Sequence, residues 1–226
     1  MGSKERRERE REQRKNQILD VARTLLLEKG LQATSINQIA KLSELSVGTF
    51  YFYYKSKEEL YVTLQQEGLD ILADLIAAAV RRKRDPRSKI RGIADAYLEF
   101  AEKHKNYFDI INYFLNPSTE TFFSPQLKEQ VDEHGNRIVD VLADIIAAGS
   151  RSGQFRPVPA KRHALILWAT IHGVTQFRKL RSTILREDDL HKVYTDAVEL
   201  FIDAISAPGA TRPSAGGDQP APVSGT

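Results

Sequence analysis

The chain of 226 residues contains no cysteine, and its single methionine is Met1. Without thiols it has no disulfide framework, no thiolate metal site and no cysteine nucleophile, and a reducing compartment is favoured. A methionine-rich, adaptable binding surface is excluded as well. The composition thus removes disulfide scaffolds and thiol enzymes before any motif is considered.

Long apolar runs are also missing. The longest, residues 69–80, carries Asp70 and Asp74 and is too short to cross a bilayer. The start of the chain, residues 1–14, is charged and lacks the apolar stretch of a secretory signal. Together these absences predict a cytoplasmic protein that has no membrane partner.

The local motifs of common enzymes are not found either. There is no His-Glu-x-x-His, no Gly-x-Ser-x-Gly and no glycine-rich phosphate loop, and the five histidines are scattered along the chain. We therefore expect a protein that is not an enzyme and that holds no metal and no cofactor.

The excess of positive over negative charge is confined to one end of the chain, although the formal net charge is only +3. Residues 1–60 hold 12 Lys and Arg against 9 Asp and Glu, whereas residues 61–226 hold 21 of each kind. A positive field at one end suits an anionic partner. A solvated, charged helix would give the same count, so the charge alone leaves both interpretations open.

Apolar residues recur at helical spacing along nearly the whole chain, with no sustained alternation of the kind that strands show. A first helix is predicted to end at Gly30, and capping-box patterns begin at Ser35 and at Ser56. The pattern predicts an all-α fold. Later helices are predicted over residues 90–103, 107–115, 125–148, 161–180 and 187–205.

Two short predicted helices, residues 35–42 and 46–53, are joined by only three residues. Two short helices with so tight a connection are typical of a helix-turn-helix, whose second helix can enter the major groove of DNA. In that second helix Phe50 and Tyr54 share a face and are predicted to point into the core. Five consecutive rings, residues 50–54, cannot all be buried by one short helix, so at least two must face outward.

Three stretches of this region stand at fixed spacing: Ala33-Thr34-Ser35-Ile36, Ile39-Ala40 and Ser46-Val47-Gly48-Thr49-Phe50-Tyr51-Phe52-Tyr53-Tyr54-Lys55-Ser56-Lys57-Glu58-Glu59-Leu60. With them the chain resembles the DNA-binding domain of TetR-type transcriptional regulators, continuously over about residues 15–62. The resemblance implies an N-terminal three-helix helix-turn-helix domain followed by a larger helical domain for ligand binding and dimerisation.

The resulting division has four parts. We expect a charged N-terminal arm (1–14), a helix-turn-helix domain (15–60), a helical regulatory domain (61–206) and a disordered tail (207–226), which consists largely of Pro, Gly, Ala and Ser. The arm is either an exposed extension of the first helix or a frayed segment.

The resemblance also implies which residues contact DNA. They are Thr34, Ser35, Ser46, Val47, Gly48, Thr49, Tyr51, Tyr53 and Lys57. The hydroxyls of Thr34 and Ser35 are expected at phosphates, although both residues could act only as helix caps.

Three positions depart from the family pattern. Glu44 stands where glycine is usual in the turn, and a residue with a Cβ there costs about 1 kcal/mol if φ is positive. Tyr53 replaces a frequent histidine. Val47 is apolar where a hydrogen-bonding side chain is common, which favours readout of DNA shape over direct contacts with bases.

Ligand and dimer contacts are expected in the second domain. Residues that could line a ligand cavity are Tyr97, Phe100, Phe108, Tyr113, Phe122, Trp168, His172 and Gln176. Aromatic residues at helical spacing are more often core than pocket, so both interpretations stay open. Residues expected in a two-fold dimer interface are Ala169, Gly173, Val193, Ala197, Leu200 and Phe201.

The function expected from the sequence is that of a dimeric transcriptional regulator that binds a palindromic operator in double-stranded DNA. A repressor that a small apolar or amphipathic ligand releases is the default interpretation. The alternative keeps DNA binding but replaces the small molecule with a protein partner, which a filled or polar second-domain core would favour. Binding to a membrane surface through the N-terminal arm is disfavoured by the many Glu residues there.

Overall fold

The computed structural model describes residues 3–30, 33–115, 124–177 and 189–208. Within these ranges the chain is helical and has no strand, only an isolated bridge between Phe155 and Ser206. The predicted all-α fold class is confirmed. The helices are α1 (Ser3–Lys29), α2 (Ile36–Leu42), α3 (Val47–Tyr53), α4 (Lys57–Arg81), α5 (Pro86–Lys103), α6 (Lys105–Leu115), α7 (Pro125–Arg151), α8 (Ala160–Gln176) and α9 (Leu190–Ile205).

Some helix ends differ from those expected: α6 begins at Lys105 instead of residue 107, and α7 ends at Arg151 instead of residue 148. The last helix does not begin at residue 187, because Asp189 is its N-cap and accepts a hydrogen bond from the backbone N–H of His191 at 3.1 Å. Of the two interpretations of the N-terminal arm, the helical extension agrees with the structure, because α1 runs unbroken from Ser3. Parts of other predictions lie outside the described residues: the loop at 116–123 with Phe122, the part of the helix predicted over 161–180 that follows residue 177, and the tail from 209 onward.

The first domain is built around one buried face of α1. Ile18, Ala22 and Leu25 are almost completely buried and pack with residues of α2 and α3 in one hydrophobic cluster. Gly30 ends α1 with φ of 78°, a left-handed conformation that glycine adopts without strain. Burial of this face sets α1 across the two short helices.

Helix α4 belongs to both domains. Leu60 and Leu64 near its start are fully buried, and further along so are Leu72 and Ile76. The predicted boundary between residues 60 and 61 therefore falls inside a helix. Gly68 does not interrupt α4; a Cβ at this position would lie only 3.0 Å from Cβ of Tyr107 in α6.

The second domain packs α5, α7, α8 and α9 around a common core. Two polar contacts join α5 to α9: the Arg91 guanidinium donates to both carboxylate oxygens of Glu199 at 2.5 and 2.7 Å, and the Tyr194 hydroxyl donates to the carbonyl of Ala94 at 2.7 Å. Among the described helices none is long and apolar enough to span a bilayer.

Two glycines of α7 give a matched test of this packing. A Cβ added to Gly149 would overlap the ring of Phe155, which is 1% exposed and enclosed by the core. Gly149→Ala should therefore lower the free energy of unfolding by about 1–3 kcal/mol. At Gly135 a Cβ meets nothing within 4 Å among the described atoms, so Gly135→Ala should raise it by about 0.5–1 kcal/mol. Chemical denaturation measures both free energies of unfolding, and a change of the same sign in the two variants would contradict this packing.

Candidate functional site

The connection between α2 and α3 is a tight hydrogen-bonded turn. The backbone N–H of Leu45 donates to the carbonyl of Ala40 at 2.8 Å, and that of Glu44 donates to the carbonyl of Lys41 at 3.2 Å. These two bonds form a Schellman motif, which requires a left-handed residue after the helix. Glu44 occupies that position with φ of 56°, so the residue that replaces the usual glycine does adopt a positive φ.

Helix α3 presents two different faces. Phe50 and Tyr54 are buried, as predicted, and their rings stack at 5.9 Å. Burial raises the pKa of Tyr54 to about 12. On the outer side Val47 and Tyr51 are 39% and 47% exposed. The five consecutive rings are thus divided between the core and a surface that α3 offers to a partner.

The start of α3 is held by its own hydroxyls. The Ser46 Oγ accepts a hydrogen bond from the Thr49 backbone N–H at 3.0 Å and lies 2.8 Å from the Thr49 Oγ1. Gly48, between them, is exposed, and a Cβ there would meet only the Ser46 Oγ at 3.7 Å. No described neighbour therefore requires a glycine, although glycine costs about 1 kcal/mol in a helix.

The two residues before α2 differ in what they expose. Thr34 is 2% exposed, and its hydroxyl donates to the carbonyl of Gly30 at 2.8 Å, so the expected presentation of this hydroxyl to a phosphate is wrong. Its role is to tie the loop to the end of α1. Ser35 is exposed and forms a reciprocal capping box with Gln38, as predicted.

The remaining expected DNA contacts lie beside the α3 surface. Tyr53 is half-buried, with its ring edge-on to the neighbouring Phe52 ring at 5.3 Å. Lys57 begins α4, and its ammonium lies over the ring of Tyr61 at 5.0 Å.

Phe52 is a surface feature that sequence reasoning missed. It is 69% exposed, and the Arg11 guanidinium of α1 lies 5.9 Å from its ring centre. Helical geometry alone could have indicated that Phe52 is exposed, because it stands about 200° around the helix axis from the buried Phe50. The N-terminal part of α1 is accordingly a neighbour of α3.

Hydrogen bonds connect the two domains through α6. Glu67 of α4 accepts two hydrogen bonds from the Arg23 guanidinium, at 2.8 and 2.6 Å, and one from the Tyr107 hydroxyl at 3.0 Å. The Asn106 amide also donates to the carbonyl of Leu27 at 2.7 Å. A shift of α6 would therefore act directly on α1.

The aromatic residues predicted for the second domain form one contiguous cluster. Tyr97, Phe100 and Phe108 are fully buried, and the Tyr97 ring lies edge-on to the Trp168 ring at 4.8 Å. The Tyr97 hydroxyl is 2.6 Å from Nδ1 of His172. Burial raises the pKa of Tyr97 and lowers that of His172, so both groups are held neutral. Tyr113 lies at the edge, half-buried, with its ring 5.9 Å from that of Tyr61.

Half-buried amide groups extend this cluster. Gln176 donates to Oδ1 of Asn112 at 2.6 Å and lies 3.3 Å from Nε2 of His172. Nδ2 of Asn112 is buried and has no hydrogen-bond partner among the described residues, and the same is true of Oε1 of Gln65 in α4. Asn112 thus keeps an unused hydrogen-bond donor next to the aromatic cluster.

The residues expected at a dimer interface differ in how far they are exposed. Ala169 is exposed, Leu200 is 70% exposed, and a Cβ on Gly173 would meet nothing within 4 Å among the described atoms. Val193 and Ala197 are half-buried. Phe201 is a correction: it points into the protomer's own core, with its ring 6.5 Å from that of His163. Leu165 and Ile166, which were not among the expected residues, are 48% and 47% exposed.

Two family models match the chain. Residues 18–64 match the family described as bacterial regulatory proteins of the tetR family, and residues 90–207 match the tetracyclin repressor-like C-terminal domain. The first match contains α2 and α3 with their connecting turn.

Relatives and solved structures agree with these matches. The transcriptional activator FasR of Mycolicibacterium smegmatis is 27% identical over 62% of this chain and 62% of its own length. The regulator QacR of Staphylococcus aureus is 24% identical over 72% of this chain and 85% of its own. The structure of FadR from Bacillus subtilis in complex with stearoyl-CoA superposes with a TM-score of 0.64 at 19% identity, over 84% of this chain and 98% of FadR.

The strained turn makes a direct prediction. Because Glu44 has φ of 56°, Glu44→Gly should raise the free energy of unfolding by up to about 1 kcal/mol, measured by denaturation. Glu44→Ala removes the carboxylate but retains a Cβ, so it should give no such gain. An equal gain from both variants would attribute the effect to charge instead of backbone conformation.

Proposed function

The chain belongs to the tetR family of bacterial regulatory proteins, and on that premise we propose that it is a dimeric repressor whose α3 helices read a palindromic operator. The observation that carries the proposal is the outer surface of α3. Gly48 has no described neighbour that requires a glycine, yet it lies among exposed Val47, Thr49 and Tyr51. A helix backbone left bare in this way allows close approach to base edges in a major groove.

Each residue of this surface is assigned a contact with DNA. Val47 contacts a thymine methyl, Thr49 a base edge, and Tyr51 a phosphate or a base edge. The Ser35 hydroxyl, the Tyr53 hydroxyl and the Lys57 ammonium bind phosphates around the groove. Ser46 positions Thr49 through the contact between their hydroxyl oxygens.

Selection of bound duplexes from a random library tests sequence-specific binding directly. Enrichment of a two-fold symmetric site, with half-sites about one helical turn apart or a multiple of that, is the expected result. Failure to enrich any sequence would contradict the proposal.

Substitutions on α3 and α4 separate contacts with DNA from effects on folding. Tyr51→Ala should weaken binding to the selected duplex about tenfold or more, because it removes an exposed side chain that contacts DNA, and its melting temperature shows whether loss of the edge-on contact with Phe50 affects folding. Lys57→Ala should lower the slope of log affinity against log salt by about 1, because one phosphate is no longer neutralised. Leu115→Ala trims a residue of similar exposure, 53%, in the second domain and serves as the control. Fluorescence anisotropy measures the affinity of all three variants for the duplex. Unchanged affinity in the first two would contradict the DNA contacts assigned to Tyr51 and Lys57.

Dimerisation is proposed through exposed and half-buried apolar residues of α8 and α9, here called the α8–α9 face: Leu165, Ile166, Ala169, Gly173, Val193, Ala197 and Leu200. Leu165, Ile166 and Leu200 are exposed large apolar side chains on this face, and small residues at 169 and 173 permit close helix contact. Two copies related by a two-fold axis would bury the same face on each protomer.

Leu200→Glu should convert the dimer to a monomer, because the interface would bury an unpaired carboxylate. Leu115→Glu places the same charge on a residue of comparable exposure away from this face and should leave the dimer intact. Sedimentation velocity at micromolar protein measures both. A monomeric unmodified protein, or equal behaviour of the two variants, would contradict the proposed interface.

The regulatory ligand is proposed to be small and apolar or amphipathic. It would displace or join the rings around Tyr97 and Trp168, and the unused amide donor of Asn112 would bind its polar group. FadR, which shares this fold, binds stearoyl-CoA in its solved structure, so a long-chain acyl-CoA is the first probe to use.

Trp168 is the only tryptophan in the chain, so its fluorescence reports on this cluster alone. Titration with stearoyl-CoA should change the Trp168 emission and release the selected duplex at the same ligand concentrations, since the two equilibria are coupled. His172→Phe, which removes the polar partner of Tyr97, should weaken the response. A response in neither signal would exclude this acyl-CoA as the ligand.

Coupling between ligand and DNA is proposed to run through the Glu67 contacts. Movement of α6 on ligand binding would pull on Arg23 through the Tyr107 hydroxyl and the Glu67 carboxylate, and so turn α1 with the DNA-reading helices. In a dimer this rotation changes the distance between the two α3 helices, and the operator fixes that distance.

A DNA-bound interaction protein controlled by a protein partner is the second candidate. The observation in its favour is that Tyr97, Phe100 and Phe108 are each at most 1% exposed, so the described part of the second-domain core is filled. A partner would then bind the outside of the second domain. Loss of DNA binding on addition of a protein, with Trp168 emission unchanged by small molecules, would favour this alternative.

A further inference from the structure

The positive charge of the DNA-binding region is carried by its first helix. Residues 4–15, here called the basic arm, hold seven Lys and Arg against four Glu, whereas residues 16–60, which contain the whole helix-turn-helix, hold five basic and five acidic residues. Non-specific affinity for DNA comes mainly from phosphate neutralisation. The helix-turn-helix alone has no excess of positive charge to provide it.

The basic arm has a defined position next to α3. It is the N-terminal part of the continuous helix α1 and extends about 18 Å beyond Lys15, at about 1.5 Å per residue. The Tyr54 hydroxyl donates to the carbonyl of Lys15 at 3.4 Å, and the Lys15 ammonium lies 5.7 Å from the Tyr54 ring centre. These contacts hold the arm across the C-terminal end of α3.

One face of the arm continues the buried face of α1. Arg7, Arg11 and Arg14 follow the spacing i, i+4, i+7, and the same series leads on to Ile18 and Leu25, which are buried against the domain. The three arginines therefore point to the side on which α3 lies. Because the arm extends beyond the rest of the domain, this side of it is exposed to solvent, next to the exposed residues of α3.

A groove of about 670 Å³ separates the arm from α3. Its lining residues are Arg7, Glu10, Arg11, Gln13, Arg14, Gln17, Phe52 and Tyr53. The single carboxylate among them, Glu10, is paired with Arg6 at 2.9 Å, and Arg11 is held over the exposed Phe52 ring. The groove is thus lined by three guanidinium groups and by polar and aromatic side chains.

We propose that the basic arm is a second DNA-binding element, in which Arg7, Arg11 and Arg14 bind phosphates next to those spanned by α3. Guanidinium groups bind phosphate oxygens with paired hydrogen bonds, and a straight helix can follow a nearby strand of the duplex over several phosphates. The inference extends the proposed function, because α3 would supply sequence specificity and the arm the affinity that is independent of sequence.

A membrane surface fits the arm less well than DNA does. Amphipathic helices that bind lipid insert an apolar face, and residues 4–17 contain no apolar side chain. The charge complementarity of the groove therefore favours a polyanion that is bound without insertion.

The test compares two double variants of equal charge. Arg7→Gln with Arg11→Gln removes two groups of the proposed face, and Arg6→Gln with Arg9→Gln removes two arginines of the same helix that do not line the groove. All of these side chains are exposed, so both variants should keep the circular dichroism spectrum and melting temperature of the unmodified protein. The second variant also leaves the Glu10 carboxylate of the groove without its partner Arg6. This change would itself weaken DNA binding, so the control is biased against the proposal and not in its favour.

Binding to a random-sequence duplex of about 30 bp is measured by anisotropy over about 50 to 200 mM salt. The variant of Arg7 and Arg11 should bind about tenfold or more weakly, with a salt slope lower by about 0.9 for each phosphate that is no longer neutralised, and the control should stay within about twofold of the unmodified protein. Equal weakening by both variants, or none by either, would overturn the inference, as would arginine-dependent pelleting with phosphatidylglycerol vesicles without DNA binding.

Failure of this inference is distinguishable from failure of the proposed function. The random duplex tests the arm without reference to an operator, whereas library selection and Tyr51→Ala test sequence-specific reading by α3. Hydroxyl-radical footprints on a selected duplex add a positional check, because sugars protected only when Arg7 and Arg11 are present should neighbour those protected through α3.

Discussion

The structure depends on one constraint, which is that a single helix serves both domains. The start of α4 is buried with the DNA-reading helices, and its later turns are buried with α5, α6 and α7. Since a helix transmits position as a rigid body, any change in the second domain that tilts α4 also moves α3. The Glu67 carboxylate, bound by Arg23 and Tyr107, lies in the middle of this helix and ties α1 and α6 to it.

In the helix-turn-helix, local hydrogen bonds stabilise the starts of the helices, and tertiary packing stabilises the turn between α2 and α3. The hydroxyl caps of Ser46 and Ser56, and the capping box of Ser35, start the helices without tertiary contacts. The Schellman turn at Glu44 is different, because a residue with a Cβ is kept in a left-handed conformation there by two backbone hydrogen bonds and by the half-buried Leu45. The strain is tolerated because the burial of Phe50 and Tyr54 requires this angle between α2 and α3.

The second domain combines an aromatic core with a polar network of neutral groups. Tyr97 and His172 contact each other inside the core, and burial shifts the pKa of each toward its neutral form. Because the described part of this core is filled, room for an apolar group inside it requires the rings to move. On the surface of the same domain, the α8–α9 face leaves Leu165, Ile166 and Leu200 exposed, which packing within the protomer does not explain.

The sequence by itself determined the all-α class, the helix-turn-helix, the family and the burial of Phe50 and Tyr54, because caps, glycine ends and helical spacing are local signals. It did not determine which way Phe201 points, that the Thr34 hydroxyl is used internally, or that Phe52 lies under Arg11. Those outcomes depend on which helix packs against which, and helical spacing defines an apolar face without naming its partner. The position of the basic arm beside α3 was likewise decided only by the tertiary structure, because it follows from burial of Ile18 and Leu25 many residues further along the same helix.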